Sequence, residues 1–413
     1  MNDLEQRVSG RLEALASDLK NAPVGAAVSG GSDSTALMHL AVATLGAERV
    51  RVATVNHHLR PEAADEAESV AAQAKALGLK HEVLHWENWD GRGNLQNAAR
   101  LARQALLSAW AEKNGLAAVC LGHTKDDQAE TVLLRLARGS GVDGLSGMAE
   151  RRVDREGLVW LRPLLSENRA DLRNWLTGKQ ITWAEDPSNS DPRFDRVRAR
   201  RLLDLTADLG LDADGLVETA HRMAAARRVL ADKAVDAAME LATIDHGAIW
   251  LGDGFWDLPD DTRWRLLAGA LSQVSGQAYR PRFKALLRAE AHARQGQTNS
   301  LHGCLIVPEQ ASIRIQPEPK RLEFKLIASG ATWHGWKVLG PSDTKSQIGP
   351  LGEHGAAQTK IWRIHGLSHR LAQSLPAVWS RQSVVTLPSL EPDTWRAQLT
   401  WNKEDFCRFM QSH

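Results

Sequence analysis

Two short stretches carry residues whose types and spacing can do chemistry. Residues 29–34 read SGGSDS and follow the apolar run Val24–Val28. Glycine admits positive φ and close backbone approach, and the start of a following helix offers unpaired N–H groups to an anion. Serine hydroxyls add donors, so Ser29, Gly30, Gly31, Ser32, Asp33 and Ser34 have the makings of a phosphate cradle. The loop lacks the lysine that GxxxxGK[ST] places on outer phosphates, and it does not match GxGxxG. Asp33 repels a bare phosphate unless Mg2+ lies between them. The plain alternative is a strand–turn–helix junction with Ser32 or Asp33 as the cap.

The second stretch, GHTKDDQAETVLLRLAR, spans 122–138. Asp127, Glu130 and Thr131 fall at i, i+3 and i+4, on one face of a helix. Two carboxylates there can hold Mg2+ or receive a cationic substrate group. Thr124 and Asp127 are also spaced as a capping box, an ordinary helix start. A capping box explains neither Glu130 nor the neighbouring His123. A third feature is the basic run of Arg193, Arg196, Arg198, Arg200 and Arg201, which reads either as a grip on RNA phosphates or as a solvated face. A second basic stretch, His221–Arg228, could extend such a surface.

The elements that must position these residues alternate. Val24–Val28, Val50–Val55, His81–Leu84 and Ala117–Leu121 read as strands, with helical patterns at Thr35–Leu45, Ala63–Leu77, Leu95–Glu112 and after GHTKDD. This predicts an α/β fold: an N-terminal doubly wound parallel sheet over residues 1–205, with ligands beyond the carboxyl ends of its strands. The Gly/Ser loop, the NHH at 56–58 and GHTKDD all occupy that position. Residues 206–320 read as a mostly helical middle domain, and 321–413 as a small mixed C-terminal domain.

Bulk properties exclude several classes. Net charge is +1, so any nucleic-acid site must come from local clusters of Arg and Lys. The three cysteines form no CxxC pair, which argues against a disulfide framework, a zinc knuckle or an iron–sulfur cluster. The first 15 residues carry charge throughout, and no window approaches a transmembrane span, so a cytoplasmic protein with no membrane association is expected.

SGGSDS after a strand resembles the PP-loop of the N-type ATP pyrophosphatases, adenine nucleotide alpha hydrolase-like enzymes that split ATP between the α- and β-phosphates. Residues 122–148, with the continuation RGSGVDGLSGM, resemble the signature of the tRNA(Ile)-lysidine synthase family. Supporting matches are HHLRPEAADEA at 57–67, NLQNAARLAR at 94–103, LRPLL at 161–165 and EDPSNSDPRF at 185–194. The likeness is close over about the first 200 residues and holds for the remainder only in overall plan. It implies a ligase that uses ATP and Mg2+ to adenylate the C2 oxygen of the wobble cytidine in an isoleucine tRNA with a CAU anticodon. Free lysine then displaces AMP through its side-chain amine.

The resemblance also implies roles. Asp33 and Asp127 would hold the metal, Arg103 would stabilise charge on phosphate, and Asp127 and Glu130 would receive the lysine ammonium or the metal. His57, Arg100, His123, Asp126, Arg193, Arg196, Arg198 and Arg200 would contact substrate, and a monomer or homodimer is implied. One departure is Val197, where the family commonly has the asparagine of RNRxR; valine cannot make that residue's hydrogen bonds. Two rival readings are a tRNA thiolase on the same PP-loop domain, which needs a sulfur carrier, and a non-catalytic RNA-binding protein on a nucleotide-binding fold.

Overall fold

A computed structural model describes residues 3–58, 63–87, 89, 95–154, 157–185, 191, 193–277, 279–326, 330–341 and 346–412. The chain forms two compact units, Met1–Arg227 and Arg228–His413. In the first, α1 (Asp3–Leu15) leads into β1 (Val24–Ala27), α2 (Ser32–Leu45), β2 (Val50–Asn56), α3 (Ala63–Ala76), β3 (Lys80–His85), α4 (Leu95–Lys113) and β4 (Ala118–Leu121). Then follow α5 (Lys125–Ala137), α6 (Val142–Leu145), β5 (Arg151–Val153), β6 (Val159–Leu161), α7 (Arg169–Gly178), α8 (Asp195–Thr206) and the start of α9 (Ala213–Leu241).

The sheet order is β3-β2-β1-β4-β6-β5. Five strands are parallel and β5 pairs antiparallel at the edge. Parallel strands need both faces covered, which explains why β1 and β4 are short, apolar and wholly buried. Along β1, Val24 and Ala26 pack with α1, α2, α3 and α7, whereas Ala27 faces Leu107, Trp110 and Ala111 of α4. Helix α1 contributes Leu4, Val8 and Leu12, spaced i, i+4, i+8. The fold is the α/β architecture expected from the alternating pattern. The edge pair β5–β6 has no expectation in the sequence reading, because three-residue strands carry too little pattern.

In the second unit, β7 (Ala242–Asp245), β8 (Ala248–Leu251), α10 (Asp260–Ser275), α11 (Phe283–Arg294), β9 (Asn299–Leu301), β10 (Cys304–Pro308) and β11 (Ile313–Pro317) come first. The strands make an antiparallel sheet of order β7-β8-β11-β10-β9. The β7–β8 hairpin interrupts a stretch expected to be mostly helical. Its two-residue turn is His246-Gly247, both at positive φ (48° and 76°), so a histidine stands where the asparagine or aspartate of the usual turn signal would be.

Beyond these lie β12 (Lys325–Leu326), β13 (Thr332–Trp333), β14 (Trp336–Leu339), β15 (Gln347–Pro350), α12 (Gly352–Gln358), α13 (Ile361–Ile364), α14 (His369–Ala372), β16 (Pro376–Ser380), β17 (Ser383–Thr386), β18 (Arg396–Leu399) and α15 (Lys403–Ser412). They build sheets β12-β15-β16-β17 and β13-β14-β18. Phe406, Cys407 and Met410 of α15 share a core with Leu266, Leu267 and Leu271 of α10, so residues on both sides of position 320 build one core. No helix among the described residues is long and apolar enough to cross a membrane.

Candidate active site

From β1 the chain winds outward through β2 and β3 on one side, then returns to place β4 on the other. The carboxyl ends of β1 and β4 therefore flank the point where the winding reverses, and a crevice opens there. The loops that leave these two ends are SGGSDS and GHT.

After β1, Gly30 takes φ +92°, a conformation that side chains resist. The Ser34 hydroxyl accepts from the Ser29 amide (3.0 Å) and donates to the Gly31 carbonyl (3.1 Å), which fixes the curl of the loop. Helix α2 is capped by Gly31 with no side-chain acceptor, so neither Ser32 nor Asp33 is the cap. The N–H groups of the first turn are thus left for an anion. After β4, Gly122 lies against this turn: a Cβ there would sit 3.0 Å from Ser34 Cα and 3.1 Å from Ser34 N. Glycine at 122 lets the two loops close on each other.

Helix α5 begins with the capping box, and the box consumes only half of Asp127. Its Oδ2 accepts from Thr124 N (2.9 Å) and Thr124 Oγ1 (3.1 Å), while Oδ1 faces Arg169 (3.2 Å) and Arg196 (3.4 Å). The capping and functional readings of Asp127 therefore coexist. One turn on, Glu130 is 1 % exposed. Its Oε1 accepts from Arg200 Nε (3.0 Å) and Nη2 (2.7 Å) and lies 3.8 Å from Arg169, whereas Oε2 meets no donor among the described residues. The opposite side of α5, through Ala129, Val132 and Leu133, packs on Ala199 and Leu203 of α8, which brings Arg196 and Arg200 to the carboxylates.

Arg169, the first residue of α7, binds all three acids, since its Nε also donates to Asp33 Oδ2 at 2.8 Å. Asp126 does not face the same way; its Oδ2 accepts the Arg169 amide (2.8 Å) and anchors α7. Arg173, one turn further, donates to Ser32 Oγ (3.3 Å) and to Glu185 (3.2 Å). The segment carrying Glu185 is tied to the loop by an Ala184 N–H bond to the Gly30 carbonyl (2.9 Å). Neither Arg169 nor Arg173 figures among the expected site residues. The signal lay in their i, i+4 spacing just past LRPLL, at the start of a helix entering the crevice.

Two cavities of about 300 and 370 Å³ meet here and share Ser29, Glu66 and Arg103. The first is walled by Ala27, Val28, Ala53 and Val55, with His57 beside them. The second is lined by the Gly/Ser loop, Gly122, His123, Asp127, Arg169, Arg173, Arg196 and Arg200. Arg103 makes no hydrogen bond or ion pair among the described residues; burial, then repulsion from Arg196, lowers its pKa despite Asp127.

Burial raises the carboxyl of Asp33 against the pull of Arg169, and burial with the neighbouring Asp127 raises that of Glu130. Burial also acts upward on Asp127, but Arg169 and the Thr124 amide outweigh it and hold the group below its ordinary value. Burial takes His123 down to about 3, so its ring is neutral at physiological pH. His57 is likewise lowered, by burial and by Arg103.

Other expected residues fall elsewhere. Arg193 pairs with Asp191 (2.6 Å), and Arg198 pairs with Asp195. Arg100 is exposed on α4, and Val197 is buried. Residues 59–62, 94, 186–190 and 192, within three of the supporting sequence matches, lie outside the described residues. All three cysteines are buried, and burial pushes the Cys120 thiol up to about 12.

A model of the PP-loop domain matches residues 4–205. Over 395 residues the chain is 43% identical to the tRNA(Ile)-lysidine synthase of Ruegeria pomeroyi, covering 94% of each. The enzyme of the same name from Rhodopseudomonas palustris is 40% identical over 326 residues, 74% of this chain and 94% of that one. Among solved structures, the U34-tRNA thiolase NcsA from Methanococcus maripaludis, with its [4Fe-4S] cluster, aligns over 53% of this chain and 79% of its own at a TM-score of 0.46 and 15% identity.

Proposed function

This chain belongs to the tRNA(Ile)-lysidine synthase family, and on that premise we propose how its own residues divide the reaction. ATP is split between its α- and β-phosphates, and the α-phosphate is taken by the C2 oxygen of the wobble cytidine in an isoleucine tRNA with a CAU anticodon. Pyrophosphate leaves at this step. The side-chain amine of free L-lysine then attacks C2; a C–N bond forms, the C–O bond breaks, and AMP departs with the oxygen.

Pyrophosphate is held by the loop Ser29–Ser34 and the uncapped start of α2. Arg173, on Ser32 Oγ, supplies the positive charge that a lysine provides in GxxxxGK[ST] loops. The half-apolar cavity beyond β1 and β2 fits the nucleoside part of ATP, and Arg103, without a partner among the described residues, lies where it can meet phosphate charge. Neutral His123 serves as a hydrogen-bonding contact rather than as a cation.

The donor chemistry fits Mg2+. Asp33 and Asp127 direct one oxygen each at a shared cationic head, the Arg169 guanidinium, at 2.8 and 3.2 Å. No set of three protein ligands exists among the described residues, so phosphate oxygens and water would complete the shell, as Mg2+ prefers. When bound, the ion would neutralise charge on the phosphates.

The observation that carries the proposal is Glu130. A buried carboxylate oxygen without a donor is costly, and the ammonium of lysine is the donor this reaction brings. Its raised pKa suits Glu130 to accept the proton that lysine must lose before it can attack. Buried, protonated cysteines leave no thiolate to carry sulfur, which disfavours a thiolase. With tRNA as substrate, the reaction takes place in the cytoplasm.

Product analysis with lysine omitted tests the scheme. Pyrophosphate should appear once per tRNA, with AMP released only when lysine is added. AMP release indifferent to lysine contradicts it.

A further inference from the structure

The arginines from which an RNA contact is expected are largely neutralised within the protein. Arg196 and Arg200 pair with Asp127 and Glu130, and Arg193 and Arg198 with Asp191 and Asp195. A second group behaves in the opposite way. Arg135, on α5, donates to the carbonyls of Gly144 (2.9 Å) and Gly147 (3.0 Å). Arg162, at the end of β6, donates to the carbonyl of Ala149 (2.7 Å). Arg152 lies on the edge strand β5, opposite Trp160.

None of these three makes an ion pair among the described residues, and the Nε atoms of Arg152 and Arg162 are buried without an acceptor. Carbonyls fix the guanidiniums of Arg135 and Arg162 in place but leave their charge intact. Arg162 stands close enough to Arg152, Arg100 and Arg135 that, after burial, their repulsion lowers its pKa to about 10. Strand β6 runs parallel to β4 with Leu161 opposite Cys120, so Arg162 follows beside the GHT loop that leaves β4, and this positive surface begins at the active site. Partly buried like charges without a counter-charge among the described residues destabilise a fold and call for an anion from outside.

We propose that Arg135, Arg152 and Arg162, with Arg100 beside them, bind the phosphodiester backbone of the RNA substrate as it leaves the active site. A string of phosphates spaced along a strand matches guanidiniums strung from β6 to the sheet edge, whereas a single phosphate engages only one or two of them. The inference rests on the RNA substrate proposed above and assigns that RNA a surface other than α8.

The test measures binding of the full chain to an isoleucine tRNA transcript and to an unrelated tRNA as salt rises from 50 to 200 mM. Each phosphate contact contributes about 0.7–0.9 to the slope of log affinity against log salt. Arg152→Gln with Arg162→Gln should therefore lower the slope by about 1.5 for both tRNAs. Over that fourfold rise in salt, the variant then loses about eightfold less affinity than the wild type. ATP affinity should stay unchanged and the melting temperature should not fall, since two mutually repelling charges are removed, and Arg152→Lys with Arg162→Lys should bind nearly as the wild type does.

A folded Gln pair with unchanged slope overturns the proposal. So does weakened ATP binding with intact tRNA binding, which would assign the cluster to a nucleotide phosphate. A Lys pair as weak as the Gln pair would show packing rather than charge. A wild type that binds tRNA and releases AMP on lysine addition separates these outcomes from failure of the functional reading itself.

Discussion

Arg169→Ala probes how the site holds three acids together. The guanidinium is 18 % exposed and reaches Asp33 at 2.8 Å, Asp127 at 3.2 Å and Glu130 at 3.8 Å, carboxylates that are 17, 10 and 1 % exposed. Arg196 and Arg200 remain after the substitution, but neither pairs with Asp33. Removing one partner from a buried ionic cluster costs about 3–5 kcal/mol, chiefly through the charge left behind. The residual arginines and partial exposure put the expected loss near about 3 kcal/mol at neutral pH. For a unit of this size that corresponds to a fall of about 6–12 °C in melting temperature.

The sign with pH follows from the carboxylates. Without Arg169 the carboxyls of Asp33 and Glu130, already raised by burial, rise further, and Asp127 loses the partner that most holds it down. Such groups contribute stability below the unfolded pKa that is lost as pH rises through the folded pKa. The deficit should grow as pH is raised from 5 to 8. Thermal unfolding of the full chain, followed by circular dichroism across that range, measures it. An undiminished melting temperature at pH 8, or a deficit that grows on acidification, would refute the cluster as described.

Three further outcomes are expected. Glu130→Gln should reduce lysine-dependent AMP release by about 10²- to 10³-fold while sparing pyrophosphate release. Because burial already favours the protonated form of Glu130, this variant should melt no lower than the wild type at pH 8; a drop of several degrees would contradict that account. Gly122→Ala forces a Cβ to within 3.0 Å of backbone and should cost about 1–3 kcal/mol, slowing adenylation while tRNA affinity is kept; unchanged pyrophosphate kinetics would show that the loops need not close. Asp33→Asn should abolish pyrophosphate release and leave tRNA binding intact, and wild-type release should climb with pH through the raised pKa of Asp33, a limb absent if Asp33 need not ionise.

The sheet and its crevice were legible because four apolar runs alternate with helical periods, and each polar loop follows a strand. Asp33, Asp127 and Glu130 could be read because their spacing places them at helix starts. What escaped the sequence is pairing across long separations. Arg169 meets Asp33 across 136 positions, and Arg200 meets Glu130 across 70. A basic run read alone gives no sign that a partner helix will pair with two of its five arginines. The β7–β8 hairpin escaped for a local reason, since His246 adopts the left-handed turn conformation without the usual residue type.

The central claim is that this site joins lysine to the wobble cytidine. Nucleoside mass spectrometry of an isoleucine tRNA with a CAU anticodon, after incubation with the full chain, ATP, Mg2+ and isotopically labelled lysine, tests it most directly. The account predicts labelled lysine on C2 of the wobble cytidine, and none with Asp33→Asn. An unmodified cytidine, or one carrying sulfur in place of lysine, would contradict it.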